Sequence, residues 1–175
     1  MRKTLKSVSN FIDGINEAIG KGVSWLTTAL VLLICFDVAA RYLFNTSSAG
    51  IVELEWHIFS FIFLLGAAYA LKHDKHVRVD VFYQNFSPKT QAWVNLIGTI
   101  LFLIPFCYIT IITSLKFTGN AYAIGEGSPD PGGLPARFVV KGAIPIGFTL
   151  LLLQAVSLAF RSILTITEPS ADHHA

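Results

Sequence analysis

The chain has 175 residues, of which 53% are hydrophobic and 14% are charged. Soluble domains carry about 25% charged residues, so this composition excludes an ordinary soluble enzyme and indicates one integral membrane domain. The formal net charge of +2 gives no basis for a nucleic-acid partner. Cys35 and Cys107 lie inside apolar runs without a CxxC spacing, which indicates packing and not redox chemistry.

Residues 1–20 are predicted to form an amphipathic helix. Apolar residues recur at three- and four-residue intervals, at Leu5, Val8, Ile12, Ile15 and Ile19. Such a helix is expected to lie in the plane of the membrane interface, with lipid against its apolar face. The basic N-terminus is like that of a signal peptide, but no small-residue cleavage site follows closely. We therefore expect an interfacial helix and not a cleaved signal.

Four apolar runs predict four transmembrane helices in an all-α integral membrane protein. The runs cover roughly residues 23–44, 51–71, 92–115 and 141–160, and each is close to the ~20 residues that cross a bilayer. We assign residues 21–164 to this four-helix membrane domain. The polar residues 165–175 are expected to form a disordered tail.

The distribution of basic residues predicts the orientation of the four spans. The N-terminal segment, the middle loop and the tail share one side of the membrane. That side holds nine basic residues: Arg2, Lys3, Lys6, Lys21, Lys72, Lys75, Arg78, Lys89 and Arg161. The other side holds four: Arg41, Lys116, Arg137 and Lys141. Because cytoplasmic loops carry an excess of Lys and Arg, both termini are predicted to be cytoplasmic.

The first span contains one acid, Asp37, which would cost about 2.5–3.5 kcal/mol at the centre of a bilayer if it were unpaired. Arg41 follows four residues later and lies on the same face of the helix. We expect the two side chains to form a compensating charge pair. That pairing leaves no uncompensated charge in this span for a substrate.

The second span carries polar residues at its beginning and small residues further along. Glu53 and Glu55 lie about 200° apart on a helix, so they cannot face one substrate together. Glu53, Trp56 and His57 are instead predicted to contact another subunit or another helix, with solvent as the alternative for the glutamate. Gly66 and Ala70 are four residues apart, a spacing that lets a second helix approach closely. This small-residue stripe is predicted to pack against a helix of the same bundle or of a larger subunit.

The third and fourth spans contain fewer polar features. Pro105 should remove the hydrogen bond to the carbonyl of Leu101 and kink the third span. Gln154 is the strongly polar residue inside the fourth span, and we predict that it makes a helix–helix contact.

No metal, cofactor or catalytic site is predicted from the sequence. His73 and His76 have a spacing that can bind zinc, but they belong to a charged loop that is better explained by its effect on orientation. His57 has no histidine opposite it in another span, which argues against haem. The chain also lacks a nucleophile–base arrangement and a glycine-rich phosphate loop, so we expect a non-enzymatic membrane protein.

Several motifs together resemble a known family. They are Arg41-Tyr-Leu-Phe-Asn45, Glu53-Leu54, Gly66-Ala67-Ala68 with Ala70-Leu71, and a loop motif containing His76, Arg78 and Asp80. This pattern resembles the small membrane subunit of tripartite ATP-independent periplasmic (TRAP) transporters. The stretch from Ser128 to Pro135 is similar to the branch associated with 2-oxo acids, lactate, mannitol and chloroaromatic acids. One departure is Ala49-Gly50-Ile51, where the family often has a Trp.

The resemblance implies a multi-pass protein of the bacterial inner membrane that works with two partners. A periplasmic binding protein would capture an organic acid, and a large permease subunit would carry it together with sodium, while this chain braces the large subunit. An alternative from another class is a self-sufficient four-helix exporter or channel that acts as a homo-oligomer. The two differ in whether the chain needs other proteins in order to transport.

Overall fold

The computed structural model describes residues 2–73, 83 and 85–167 of the chain. Its α-helices are α1 (Arg2–Phe44), α2 (Ala49–Lys72), α3 (Pro88–Gly98), α4 (Ile104–Ala123) and α5 (Phe138–Ile166). A short π-helix, Thr99–Leu103, joins α3 to α4, so the two make one continuous third span, Pro88–Ala123. Four segments are long and apolar enough to cross a membrane. The predicted all-α fold with four spans is therefore confirmed.

The last helix, α5, lies at the centre of the bundle. It packs against α1, α2 and the third span, and it contributes more buried residues than any other helix. Its start lies beside the start of α2, since Arg137 contacts Glu53, and further along Gly147 lies against Leu64. The two helices therefore run in the same direction. A small apolar core at the other end joins Leu71, Cys107 and Leu151 from three spans.

The structure shows no break between residues 1–20 and the first span, and a position of residues 1–20 in the membrane interface stays a prediction. The chain is helical without interruption from Arg2 to Phe44, and this segment contains no proline to end it. A helix of 43 residues is about 64 Å long, roughly twice the ~30 Å hydrocarbon core of a bilayer. The helix α1 therefore includes the predicted span, residues 23–44, and continues beyond it in its N-terminal half.

The polar face of this N-terminal half of α1 packs against another helix. Its polar residues Ser9, Asp13 and Asn16 are buried, whereas Phe11 is 71% exposed. The physical reason is that the polar face meets polar side chains of α5, which satisfy its hydrogen-bonding groups away from water.

The third and fourth spans are longer than predicted. The third begins at Pro88 and ends at Ala123, and the fourth ends at Ile166 and not near residue 160. In the third span the N–H of Ile104 donates to the carbonyl of Thr99, the five-residue spacing of a π-helix. This wider turn lies directly before Pro105, at the place where the proline removes the usual bond to Leu101.

Two glycines outside the predicted stripe of Gly66 and Ala70 allow helices to approach closely. A Cβ placed on Gly147 would lie 2.6 Å from the carbonyl oxygen of Leu64. One on Gly20 would lie 2.2 Å from the ring of Tyr69. A Cβ on Gly66 would meet only Val23, at 3.9 Å, which is ordinary van der Waals contact. Gly66 thus faces α1 at a looser distance than either of the other two.

Candidate functional site

The carboxylate of Glu53 joins the start of α2 to the loop between α4 and α5. It is 4% exposed, and its oxygens accept hydrogen bonds from Ser128 Oγ at 2.5 Å and from the backbone N–H of Leu134 at 2.6 Å. Arg137 Nη2 also donates to Glu53, at 3.2 Å. We call Glu53, Ser128, Leu134 and Arg137 the loop clasp. It holds a segment rich in Gly and Pro that has no regular secondary structure of its own.

The loop reaches Glu53 because its backbone approaches the carboxylate closely at one glycine and adopts positive φ angles at two other residues. A Cβ on Gly133 would lie 2.3 Å from Ser128 Oγ and 2.9 Å from Glu53 Oε2, so only glycine fits beside the carboxylate. Gly132 has φ +79°, which glycine adopts without strain. Ala136 has φ +61°, which is strained for a residue with a Cβ, and Arg137 follows it directly.

The aromatic residues next to Glu53 belong to the same site. His57 Nδ1 donates to the backbone carbonyl of Glu53 at 2.5 Å, and the His57 side chain is buried. Trp56 stacks on His57 with ring centroids 4.0 Å apart, and the guanidinium of Arg137 lies 5.8 Å from the Trp56 ring. Within this chain Glu53 contacts its own loop, and both Glu53 and His57 are buried, while a contact of Glu53, Trp56 and His57 with another subunit stays a prediction.

A second polar site joins the N-terminal half of α1 to α5 at the opposite end of the bundle. Asp13 Oδ1 accepts from Gln154 Nε2 and from Ser157 Oγ, each at 2.9 Å, and Asp13 Oδ2 accepts from Arg161. We call Ser9, Asp13, Asn16, Gln154, Ser157 and Arg161 the polar cluster. All except Arg161 are buried. Gln154 thus makes a helix–helix contact with α1.

The carboxylate of Asp13 fixes the direction of every hydrogen bond in the polar cluster. Since Asp13 only accepts, the Gln154 amide must donate to it, which leaves Gln154 Oε1 to accept from Asn16 Nδ2 at 2.6 Å. Ser157 likewise donates to Asp13, so Ser9 Oγ donates to Ser157 Oγ at 2.5 Å. Asn16 Oδ1 is the acceptor that remains without a partner among the described residues.

Glu17 lies one turn further along α1 and binds the end of α2. Its carboxylate is 2.7 Å from Lys72 Nζ, 2.9 Å from His73 Nε2 and 3.3 Å from Lys21 Nζ. Lys72 also donates to the backbone carbonyl of Asp13, at 3.0 Å. These contacts connect α1, α2 and, through Asp13, α5 at one end of the bundle.

The structure places the remaining predicted site residues as follows. Arg41 Nη2 lies 2.5 Å from Asp37 Oδ2, and the Asp37 side chain is 5% exposed. Gly66 and Ala70 are both half-buried on α2. His76, Arg78 and Asp80 lie outside the described residues. Within residues 2–73, 83 and 85–167, no three His, Cys, Asp or Glu side chains are grouped as metal ligands would be.

Comparison with known proteins identifies the family. Residues 30–165 match the model of the family described as tripartite ATP-independent periplasmic transporters, DctQ component. The chain is 25% identical to the C4-dicarboxylate TRAP transporter small permease protein DctQ of Vibrio cholerae, covering 89% of this chain and 74% of that protein. It is 28% identical to a protein of Haemophilus influenzae called a putative TRAP transporter small permease protein, covering 90% and 97%. The chain therefore belongs to the DctQ component family of tripartite ATP-independent periplasmic transporters.

Proposed function

We propose that this small permease subunit braces a large permease subunit and does not itself carry substrate. In this proposal the large subunit moves an organic acid, with sodium as the coupling ion, after a periplasmic binding protein has delivered it. The substrate and the coupling ion are then properties of the partners. The observation that carries the proposal is the pairing of charges inside the bundle.

Five acids of the described residues are each paired with a cation. Asp37 is paired with Arg41, Glu53 with Arg137, and Glu126 with Lys141 at 2.5 Å. At the other end, Asp13 is paired with Arg161 and Glu17 with Lys72. An ion or proton pathway needs buried groups that can exchange their partners, and each of these acids already has a cation beside it. Such an arrangement suits a support better than a carrier.

The alternative, a homo-oligomeric exporter or channel, has weaker support. It would require polar groups of this chain to line a path across the membrane. Glu55 is the candidate among the described acids, since its Oε1 is buried without a partner in the described part of the chain. A single carboxylate near one end of α2 does not make a path across a bilayer.

We further propose that both termini face the cytoplasm, because nine of the thirteen basic residues belong to that side in a four-span arrangement. The loop clasp then faces the periplasm, where the binding protein arrives. A variant without Cys35 and Cys107 can carry one new cysteine at Asp130, in the exposed loop, or at Lys3. A membrane-impermeant thiol reagent should label the Asp130→Cys chain in intact cells and spare the Lys3→Cys chain. Labelling in the reverse order would contradict the topology.

Reconstitution into vesicles tests which membrane subunit is needed for transport. Vesicles are prepared with this chain alone, with the large subunit alone, and with both, and each receives the binding protein, an organic acid and a sodium gradient. Uptake is expected only when all three proteins are present, and the two membrane subunits should copurify. Transport by this chain alone would contradict the proposal and favour the exporter.

A further inference from the structure

A slot between α2 and α5 remains unfilled by the side chains of the bundle. It has a volume of about 200 Å³ and opens on the surface of the membrane domain below the loop clasp. Its walls include Trp56 and Leu64 from α2, Arg137 directly before α5, and Val140, Lys141 and Ile144 from α5. An apolar cavity of ~150 Å³ is enough to bind benzene, so this slot can hold a piece of hydrocarbon.

The two ends of the slot differ in chemistry. Because α2 and α5 run in the same direction, Arg137 and Lys141 lie at the loop end, and Leu64 and Ile144 lie deeper. The rise along α2 from Trp56 to Leu64 is about 12 Å. Cations therefore lie at the level where an aromatic residue marks the membrane interface, and the apolar walls extend towards the middle of the bilayer. A phospholipid of that leaflet likewise has its charged headgroup at the interface and its acyl chains towards the middle of the bilayer.

The cations at the mouth of the slot are held in place and still have capacity to donate. Arg137 Nη2 is bound to Glu53, but Arg137 Nε is buried and has no acceptor among the described residues. Lys141 Nζ is bound to Glu126 and lies 3.9 Å from the centroid of the Phe117 ring. An ammonium has three N–H donors, and a phosphodiester oxygen is a strong acceptor for Arg and Lys.

We propose that this slot is a binding site for one phospholipid of the leaflet at the loop end. The phosphate accepts from the guanidinium of Arg137 and the ammonium of Lys141, and one acyl chain lies along Val140, Leu64 and Ile144. The lipid would thereby seal the junction between α2 and α5 beneath the loop clasp. This inference depends on the four-span fold and not on the transport role proposed above.

Native mass spectrometry of the full chain, released from detergent micelles after purification from membranes, tests the site. The wild-type chain should retain the mass of one phospholipid. Ile144→Phe fills the slot and should lower the retained fraction about tenfold, a change that corresponds to 1.4 kcal/mol of binding free energy. The control is Ile146→Phe, which makes the same change at a position 57% exposed and not lining the slot. Equal retention in the two variants would overturn the proposal.

A second variant checks that the loss of lipid is not caused by misfolding. A second sample, the complex with the large subunit, checks whether another occupant fills the slot. Lys141→Gln removes a donor at the mouth and should also lower retention, whereas Lys116→Gln, an exposed lysine of α4, should not. The same measurement is made on the copurified complex of both membrane subunits. A lipid retained by the complex supports the proposal. A lipid present on the chain alone but lost from the complex would show that the large subunit fills the slot, and would overturn it.

Discussion

The hydroxyl of Ser128 lies 2.5 Å from the carboxylate of Glu53, although 75 residues separate the two in the chain. Through this contact, the loop that precedes α5 is fastened to the first turns of α2. The loop clasp therefore closes one end of the bundle, while the polar cluster closes the other.

Replacing the carboxylate of the loop clasp should release the loop. In Glu53→Gln, the amide nitrogen presents donors where Leu134, Ser128 and Arg137 also donate, so at least one buried group loses its partner. We expect a loss of about 1–3 kcal/mol in stability and faster proteolysis between residues 124 and 137. Asp130→Asn, in the exposed part of the same loop, is the control. Unchanged proteolysis in Glu53→Gln would show that the clasp does not hold the loop.

Adding one methyl group between α2 and α5 should push these helices apart. In Gly147→Ala the new Cβ would lie 2.6 Å from the carbonyl of Leu64, and backbone must move to relieve the clash. The expected cost is about 1–3 kcal/mol, measured as a lower midpoint of thermal unfolding in detergent. Gly98→Ala is the matched control, because nothing lies within 4 Å of that position. A Gly147→Ala chain as stable as the control would contradict the close packing.

At the contact between α1 and α2, an added methyl group should destabilise the chain at Gly20 and be tolerated at Gly66. Gly20→Ala places a methyl group against the ring and the Cβ of Tyr69, whereas Gly66→Ala meets only Val23 at 3.9 Å. We expect Gly20→Ala to destabilise the chain by about 1–3 kcal/mol and Gly66→Ala to have little effect. The readout is the same thermal midpoint. Greater damage from Gly66→Ala would mean that the predicted stripe, and not Gly20, sets the helix spacing.

Asp37 and Arg41 should behave as one unit. Either Asp37→Ala or Arg41→Ala leaves a lone charge in or near the apolar span, while the double variant leaves none. We expect each single change to reduce the yield of folded protein more than the double change does. A double-mutant cycle on membrane yield and thermal stability measures the coupling. Additive losses would show that the two side chains act independently.

The polar cluster should lose stability when its central amide is removed. Gln154→Leu keeps the volume but takes one donor from Asp13 and the acceptor from Asn16, and both partners are buried. The expected loss is about 1–3 kcal/mol. Thr165→Val serves as the control because the Thr165 hydroxyl donates only to its own helix, at the carbonyl of Arg161. If Gln154→Leu were as stable as Thr165→Val, hydrogen bonding would not be what joins α1 to α5.

The sequence was sufficient for the features that depend on local spacing. Apolar runs of bilayer length located the four spans, and the four-residue interval placed Asp37 beside Arg41, because both follow from the geometry of a single helix. The family followed from motifs in the first two spans and the middle loop. Each of these predictions needed only residues that are close together in the chain.

The features that the sequence did not reveal depend on how distant segments meet. Glu53 is bound by residues 75–84 positions away, and Asp13 by residues more than 140 positions away. A periodic pattern shows that Asp13 and Asn16 share a polar face, but not whether water or another helix meets that face. The polar residues of α5, Gln154 and Ser157, were the available signal, since side chains of this kind inside an apolar span need partners.

The uninterrupted course of α1 makes its two ends mechanically dependent on each other. Asp13, joined to α5, and Asp37, paired with Arg41, are 24 residues apart on the same helix, which corresponds to about 36 Å. No proline or loop lies between them to absorb a bend. A tilt imposed on α1 at one face of the membrane therefore also moves the part of α1 at the opposite face, because the helix tilts as a rigid body.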